Sequence, residues 1–120
     1  MPEDSDAVLG ILQAHISRTG ETATLALIGE FDLATVDTVR ERLAEVRREA
    51  PSRVVIDLRG LTFIDSTGIS FLLSAVKEDG DGRLSFIASE APAVRRVFAV
   101  TGVAGLFGGD DAGARRLSEA

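Results

Sequence analysis

Residues 53–76 read RVVIDLRGLTFIDSTGISFLLSAV, a stretch in which a continuous apolar run gives way to apolar residues at helical spacing. The run Val54–Leu58 is typical of a central strand that is covered on both faces. We expect a short bend at Arg59-Gly60 and then a second apolar segment over residues 61–64. The stretch therefore predicts a buried strand that leads directly into a helix.

The tetrapeptide Asp65-Ser66-Thr67-Gly68 opens this helix, which we predict over residues 66–78. Ser66 is thereby placed where a helix N-terminus meets the carboxyl end of a buried strand. The first backbone N–H groups of a helix are unpaired and its dipole is positive there, so the position favours anions. The residues alone leave two interpretations of Ser66: a cap that accepts a backbone N–H, or a site of phosphate chemistry.

The composition limits the functions that the chain can have. Its 120 residues suit one domain over residues 1–120, and its net charge of −6 disfavours direct nucleic-acid binding, which requires clustered Lys and Arg. The absence of cysteine excludes disulfides, thiolate catalysis and cysteine-ligated metals. The acidic amino terminus lacks a signal-peptide core, and no apolar run approaches the ~20 residues of a membrane span. We therefore expect a cytoplasmic protein without membrane insertion.

The residues before this stretch predict a hairpin and a helix. Two strands are expected at 10–18 and 23–29, joined by a four-residue turn that contains glycine. An amphipathic helix over 33–49 follows, with Asp32 as its cap and Thr35 as the alternative. Residues 1–7 are polar and are expected to be frayed.

The residues after the stretch predict a further strand at 83–88 and a third helix that begins at 89–92, with Pro92 in its first turn. A short edge strand at 103–107 and a short helix at 111–118 follow, and the last few residues are expected to be flexible. This order predicts an α/β fold. Its mixed β-sheet is mostly parallel, with an antiparallel N-terminal hairpin strand, and packs against α-helices through right-handed crossovers.

Serine hydrolase chemistry is disfavoured because it requires a base beside the nucleophile. The one histidine, His15, lies in the first predicted strand, far in sequence from Ser66, and no Gly-x-Ser-x-Gly elbow is present. His15 is expected to be a surface or half-buried strand residue. We therefore expect no catalytic serine and no hydrolase activity.

Metal and nucleotide loops are also disfavoured. Asp79, Asp81 and Glu90 match three positions of a calcium loop, but Arg83 and Leu84 stand where that loop needs a ligand and a glycine. A turn between helix and strand explains these acidic residues better. The glycines over 102–109 are not followed by the lysine of a phosphate-binding loop. We therefore predict no metal and no cofactor.

Two motifs resemble the signature of the STAS domain family. One is Leu61–Ile69, with Asp65-Ser66 between a strand and an apolar helix, and the other is Gly29-Glu30-Phe31-Asp32 at the exit of the second strand. Residues 91–98 also resemble the third helix of the family, and the resemblance covers roughly residues 11–107. STAS domains occur in anti-sigma factor antagonists (anti-anti-sigma factors) and at the cytoplasmic ends of sulfate transporters.

The resemblance implies a regulator of transcription with no catalysis of its own. In similar proteins the serine at the position of Ser66 is phosphorylated by an anti-sigma factor that is also a serine kinase. The unphosphorylated antagonist binds the anti-sigma factor and frees a sigma factor, whereas the phosphorylated form is released and a serine phosphatase resets it. The aspartate that matches Asp32 is expected to lie beside the serine.

The partner-binding surface that the resemblance implies comprises Asp32, Asp65, Ser66, Thr67, Gly68 and Ile69. A phosphate there adds about −1.5 to −2 charges, so the switch is expected to act on the docking surface rather than by refolding the domain. When unmodified, Ser66 is still expected to cap its helix, and the Thr67 hydroxyl could compete for phosphate.

Two alternative functions stay open at this point. One is a constitutive STAS subunit of a lipid or solute transporter complex, without a phosphate cycle. The other is direct nucleotide binding at the same helix start.

Overall fold

The computed structural model describes residues 6–9, 12–79 and 82–101, and these residues form five strands and three helices. The strands are β1 (Asp6–Leu9), β2 (Leu12–Thr19), β3 (Thr22–Phe31), β4 (Arg53–Ile64) and β5 (Leu84–Ile87). The helices are α1 (Val36–Arg48), α2 (Ser66–Asp79) and α3 (Pro92–Thr101). The strand predicted at 103–107 and the helix predicted at 111–118 lie outside the described residues.

The strands form one mixed sheet in the order β1-β2-β3-β4-β5. β2 pairs antiparallel with both β1 and β3, whereas the β3–β4 and β4–β5 pairs are parallel. Each parallel pair is joined through a helix, as parallel neighbours require. The mixed sheet that the sequence predicts is thus confirmed.

Strand β1 extends the sheet beyond the predicted hairpin. We expected residues 1–7 to be frayed, but Asp6 and Ala7 pair with His15 and Ala14 of β2. This part of the prediction is wrong because the segment Asp-Ala-Val-Leu, which is mostly apolar, begins at Asp6 and pairs with β2 along its whole length. The sheet edge is therefore β1 rather than β2.

Strand β4 runs without a break through the bend that we predicted at Arg59-Gly60. Its pairing with β3 shifts register twice instead, and β4 gains one residue at each shift. Such bulges bend a strand without ending it. Gly60 is needed at this point, because a Cβ atom there would lie 2.7 Å from Cγ1 of Ile28.

The buried core lies between one face of the sheet and the helices. Alternate residues of the strands point into it, together with the apolar stripe of α1 that the sequence predicts. Val94 and Phe98 bring α3 into the same cluster. Its fully buried side chains include Leu12, Leu25, Val39, Ile56, Leu58 and Leu72. Burial of one such side chain contributes about 1.5–3 kcal/mol, so the core fixes the sheet and helices relative to one another.

The opposite face of the sheet is more polar. Gln13, His15 and Ser17 are exposed on β2, so His15 is the surface strand residue that the sequence predicts. Farther along this face, Nε and Nη2 of Arg59 donate to Asp57 at 3.0 and 2.9 Å. Burial raises the pKa of Asp57, but the hydrogen bonds from Arg59 outweigh this effect and hold the pKa below its usual value.

Candidate functional site

Two loops meet where β3 and β4 end. These strands are parallel neighbours, and their last register pair is Phe31 with Ile64, so their carboxyl ends lie at one edge of the sheet. The N–H of Asp65 donates to the carbonyl oxygen of Phe31 (3.2 Å), and the N–H of Leu33 donates to Oδ2 of Asp65 (3.3 Å). The loop that carries Asp32 is thereby tied directly to the loop that leads into α2. We call this edge the Ser66 rim (Asp32, Leu33, Asp65, Ser66 and Thr67).

The β3–α1 loop is held by its own polar side chains. The buried hydroxyl of Thr35 donates to the carbonyl oxygen of Glu30 (3.0 Å) and accepts the N–H of Asp32 (2.9 Å). Oδ1 of Asp32 accepts the N–H of Ala34 (3.1 Å). Thr35 occupies the N-cap position of α1, but its side chain does not cap the helix. Asp32 and Thr35, the two alternative caps that the sequence predicts, therefore form hydrogen bonds within the loop instead. The helix α1 begins at Val36 rather than at residue 33.

Asp65 is the residue that caps α2. Its Oδ1 accepts the N–H of Gly68 at 3.0 Å, and its carbonyl oxygen accepts the N–H of Ile69 at 3.0 Å. This is the geometry of an N-cap, which only the residue before the first helical residue can provide. The prediction that Ser66 caps the helix is therefore wrong. Ser66 is the first residue of α2, and its side chain is exposed.

The amino-terminal turn of α2 keeps some of its anion-attracting character. Asp65 satisfies the N–H of Gly68, while the N–H groups of Ser66 and Thr67 are too near the helix start to have an intrahelical acceptor. The helix dipole adds positive potential at the same place. The negative carboxylates of Asp32 and Asp65 reduce this positive potential. The rim thus combines backbone donors with acidic side chains.

Gly68 and Ile69 lie beneath the rim and not on it. Ile69 is buried in the core cluster. A Cβ atom on Gly68 would lie 2.8 Å from Cγ1 of Ile64 and 2.9 Å from the carbonyl oxygen of Phe31. Glycine at 68 therefore allows α2 to approach the end of β3 closely. Of the six residues predicted for the partner surface, Ser66 is exposed, and Asp32, Asp65 and Thr67 are half-buried.

Two exposed apolar side chains near the rim are not apparent from the sequence. Leu33 is 74% exposed, although the sequence places it in the first helix, and Phe63 is 43% exposed at the end of β4. Thr62 and Phe63 are both exposed between the buried Leu61 and Ile64, so the bulge breaks the alternation of the strand here and no simple pattern identifies Phe63.

Metal sites and membrane-spanning helices were also sought among the described residues. Within them, no group of three or more His, Cys, Asp or Glu side chains could hold a metal ion. None of the helices described here has the length and apolarity needed to cross a bilayer. Oδ2 of Asp79 accepts the N–H groups of Gly82 and Leu84, at 2.9 and 3.1 Å, which confirms that this aspartate serves a turn.

Comparison with known proteins identifies the family. The model of a family described as "Mlab, STAS domain" matches residues 14–108, which is most of the chain. The chain belongs to the STAS domain family. The strand exits and the Asp65-Ser66 helix start that resemble the family signature all lie inside the matched region.

Several relatives of this STAS domain are named as anti-sigma factor antagonists. The chain is similar to the anti-sigma F factor antagonist of Lysinibacillus sphaericus, with 28% identity over 87 residues, which is 71% of this chain and 74% of the relative. It is 30% identical over 81 residues to the anti-sigma-B factor antagonist of Staphylococcus epidermidis, covering 66% of this chain and 74% of the relative.

Solved structures share the fold. The anti-sigma factor antagonist SpoIIAA in its unphosphorylated form superposes with a TM-score of 0.62 at 26% identity, covering 78% of this chain and 84% of that one. An anti-sigma factor antagonist from Mycobacterium paratuberculosis superposes with a TM-score of 0.72 at 23% identity, covering 80% and 82%. The STAS fold of this chain is thus the fold of known antagonists.

Proposed function

We propose that this STAS domain is an anti-sigma factor antagonist that acts by binding and is regulated by phosphorylation of Ser66. One observation carries the proposal: the Ser66 hydroxyl is exposed at the first turn of α2 while its neighbour Asp65 caps the helix. Because another side chain provides the cap, Ser66 can be modified without loss of a hydrogen bond that the fold needs. The names of the relatives support the same function.

In the proposed cycle the unphosphorylated protein binds an anti-sigma factor with serine kinase activity in the cytoplasm, and a sigma factor is released. The Ser66 oxygen then attacks the γ-phosphorus of ATP, the bond from that phosphorus to ADP breaks, and a base of the kinase takes the hydroxyl proton. The phosphorylated protein dissociates. A serine phosphatase hydrolyses the phosphoserine to serine and inorganic phosphate.

The charges at the rim explain how the phosphate would act. The unpaired N–H groups of Ser66 and Thr67 and the helix dipole attract it, whereas the carboxylates of Asp32 and Asp65 repel it. These opposed effects leave the fold in place and make the docking surface more acidic. We propose that this surface comprises Asp32, Asp65, Ser66 and Thr67, and that Gly68 and Ile69 set its shape from beneath.

The site is tested by phosphorylation with the cognate kinase and ATP, followed by intact-mass measurement and phosphopeptide mapping. We expect one phosphate on the wild-type protein and on Thr67→Ala, and none on Ser66→Ala. The Thr67→Ala variant is the matched control, because its hydroxyl follows Ser66 in the same helical turn. Labelling of Ser66→Ala at the wild-type rate would show that the site is wrong.

A transporter subunit without a phosphate cycle is the second candidate, because the resemblance to STAS domains also covers transporters and the description of the matching family model does not name an antagonist. Binding of a Ser66→Asp variant to the native partner separates the two functions. An antagonist is expected to lose most of its affinity when a charge is placed at the rim. Unchanged affinity would favour the constitutive subunit.

A further inference from the structure

A groove of about 650 Å³ lies between α1 and α2, outside the Ser66 rim except at Thr67. Its lining residues recur every three or four positions, from Val36 to Arg48 on α1 and from Thr67 to Glu78 on α2. One face of each helix therefore lines the groove over nearly its whole length, which is about 18 Å at 1.5 Å per residue.

The floor of the groove combines packed apolar side chains with the exposed hydroxyl residues Ser70 and Ser74 of α2. Leu43 and Ala75 are buried within it, and the half-buried ring of Phe71 lies between the two helices. That ring meets Phe31 edge to face, with 5.9 Å between the ring centroids. A ligand would therefore meet the Phe71 ring, the exposed Ala44 side chain and the two serine hydroxyls without rearrangement of the core.

The rim of the groove is cationic, although the chain as a whole has a net charge of −6. It carries Arg40, Arg47 and Arg48 against one acidic residue, Glu78. The Arg40 guanidinium lies 5.6 Å from the centroid of the Phe71 ring, which holds it over the groove. The local charge of the groove is thus opposite to that of the molecule.

The three arginines differ in how far their charges are already satisfied. Arg40 also pairs with Asp37, and Arg47 pairs with Glu78 at 2.8 Å and donates to the carbonyl oxygen of Ala75 at 3.2 Å. Arg48 is exposed and forms no ion pair within the described part of the chain. Arg48 is therefore the cation that is most available to a ligand.

We infer that this α1–α2 groove binds an acidic amphipathic helix of a partner protein. A helix laid along two others places apolar side chains at three- and four-residue spacing, which is the spacing of the floor residues. Carboxylates on its flank would meet the arginines, whose planar guanidinium groups bind carboxylates in pairs of hydrogen bonds. The inference does not depend on phosphorylation, because Ser66 does not line the groove.

The test uses three synthetic 14-residue amphipathic peptides that share one leucine face and differ only in a polar face of Glu, Gln or Lys. Each is titrated into the ¹⁵N-labelled protein and followed by amide chemical shifts. We expect the Glu peptide to shift α1 and α2 amides, to bind about tenfold more tightly than the Gln peptide, and to weaken with added salt. Equal binding of the Glu and Gln peptides, or shifts confined to the open sheet face, would overturn the inference.

Variants that introduce a negative charge test whether the peptide binds in the groove. Arg48→Glu and Ala44→Glu, both at exposed groove positions, are expected to weaken the Glu peptide about tenfold. Arg95→Glu on the exposed face of α3 is the matched control and should leave the affinity unchanged. An equal loss in Arg95→Glu would contradict the site.

Two further measurements separate this inference from other outcomes. Ser66→Ala is expected to bind the Glu peptide as the wild type does, so a failure of the phosphorylation proposal leaves the groove intact, and the reverse also holds. Sedimentation velocity tests for a second copy of the chain as occupant. A dimer that Ala44→Glu dissociates would overturn the assignment of a partner helix.

Discussion

Asp65 and Ser66 are neighbours with separate tasks. Asp65 uses one carboxylate oxygen to cap α2 and the other to hold the N–H of Leu33, so it joins the helix to the β3–α1 loop. Ser66 is exposed and contributes its hydroxyl to the surface. The division explains how a residue at a helix start can carry a regulatory modification while the helix start stays intact.

This division predicts different effects of two alanine substitutions on the free energy of unfolding. Asp65→Ala removes the cap and should lower it by about 1 kcal/mol. Ser66→Ala is the matched control at the next position and should change it by no more than about 0.5 kcal/mol. Urea unfolding followed by circular dichroism measures both. A loss in Ser66→Ala as large as in Asp65→Ala would mean that the serine hydroxyl does contribute to the cap.

At the scale of the elements, the end of α1 contains a strained residue. Ala50 follows the C-cap residue Glu49 and has a φ of 52°, and among the described residues no other non-glycine residue has a positive φ. Its N–H donates to the carbonyl oxygen of Arg47 at 3.0 Å, and Pro51 comes next and cannot continue the helix. The helix therefore ends in a left-handed conformation that usually employs glycine.

We predict that Ala50→Gly raises the free energy of unfolding by about 0.5–1 kcal/mol. Glycine removes the Cβ strain of the left-handed conformation, which costs roughly 1–2 kcal/mol, and part of this gain is offset by the greater freedom of the unfolded chain. The control is Ala44→Gly inside the same helix, which should lower stability by about 1 kcal/mol. Thermal unfolding distinguishes the two, and equal losses would contradict the assignment of strain to Ala50.

At the scale of the whole molecule, one core cluster joins the sheet to all three helices. A substitution at its centre is therefore expected to destabilise the sheet and all three helices together. This core fixes the backbone of the Ser66 rim and of the α1–α2 groove. The side chains proposed to act there, such as Ser66 and Arg48, are exposed.

We predict that Leu72→Ala, at a fully buried position of α2, lowers the free energy of unfolding by about 2–5 kcal/mol. This is a large part of the about 5–15 kcal/mol that stabilises a typical domain. Leu33→Ala removes the same atoms from a side chain that is 74% exposed and should cost less than about 0.5 kcal/mol. Urea unfolding compares them, and similar losses would mean that the two leucines are not packed as described.

Local sequence patterns determined much of the fold. The apolar stripe of α1, the run that became β4 and the proline at the start of α3 each reflect a rule that acts within a few residues. The mixed sheet followed, because parallel strands joined by helices form right-handed crossovers. That the loops carrying Asp32 and Ser66 lie close together was expected from the resemblance to the STAS family and not from this rule.

Only the tertiary structure decided the features that depend on residues far apart in sequence. Strand β1 exists through its pairing with β2, and β4 continues through Gly60 because its bulges fit against β3. The hydrogen bond from Leu33 to Asp65, and the groove between α1 and α2, depend likewise on where separate segments come together. The sequence by itself determined which residue types stand at the site. Which of them are exposed is set by packing across the fold, because the neighbours that cover a side chain come from distant segments.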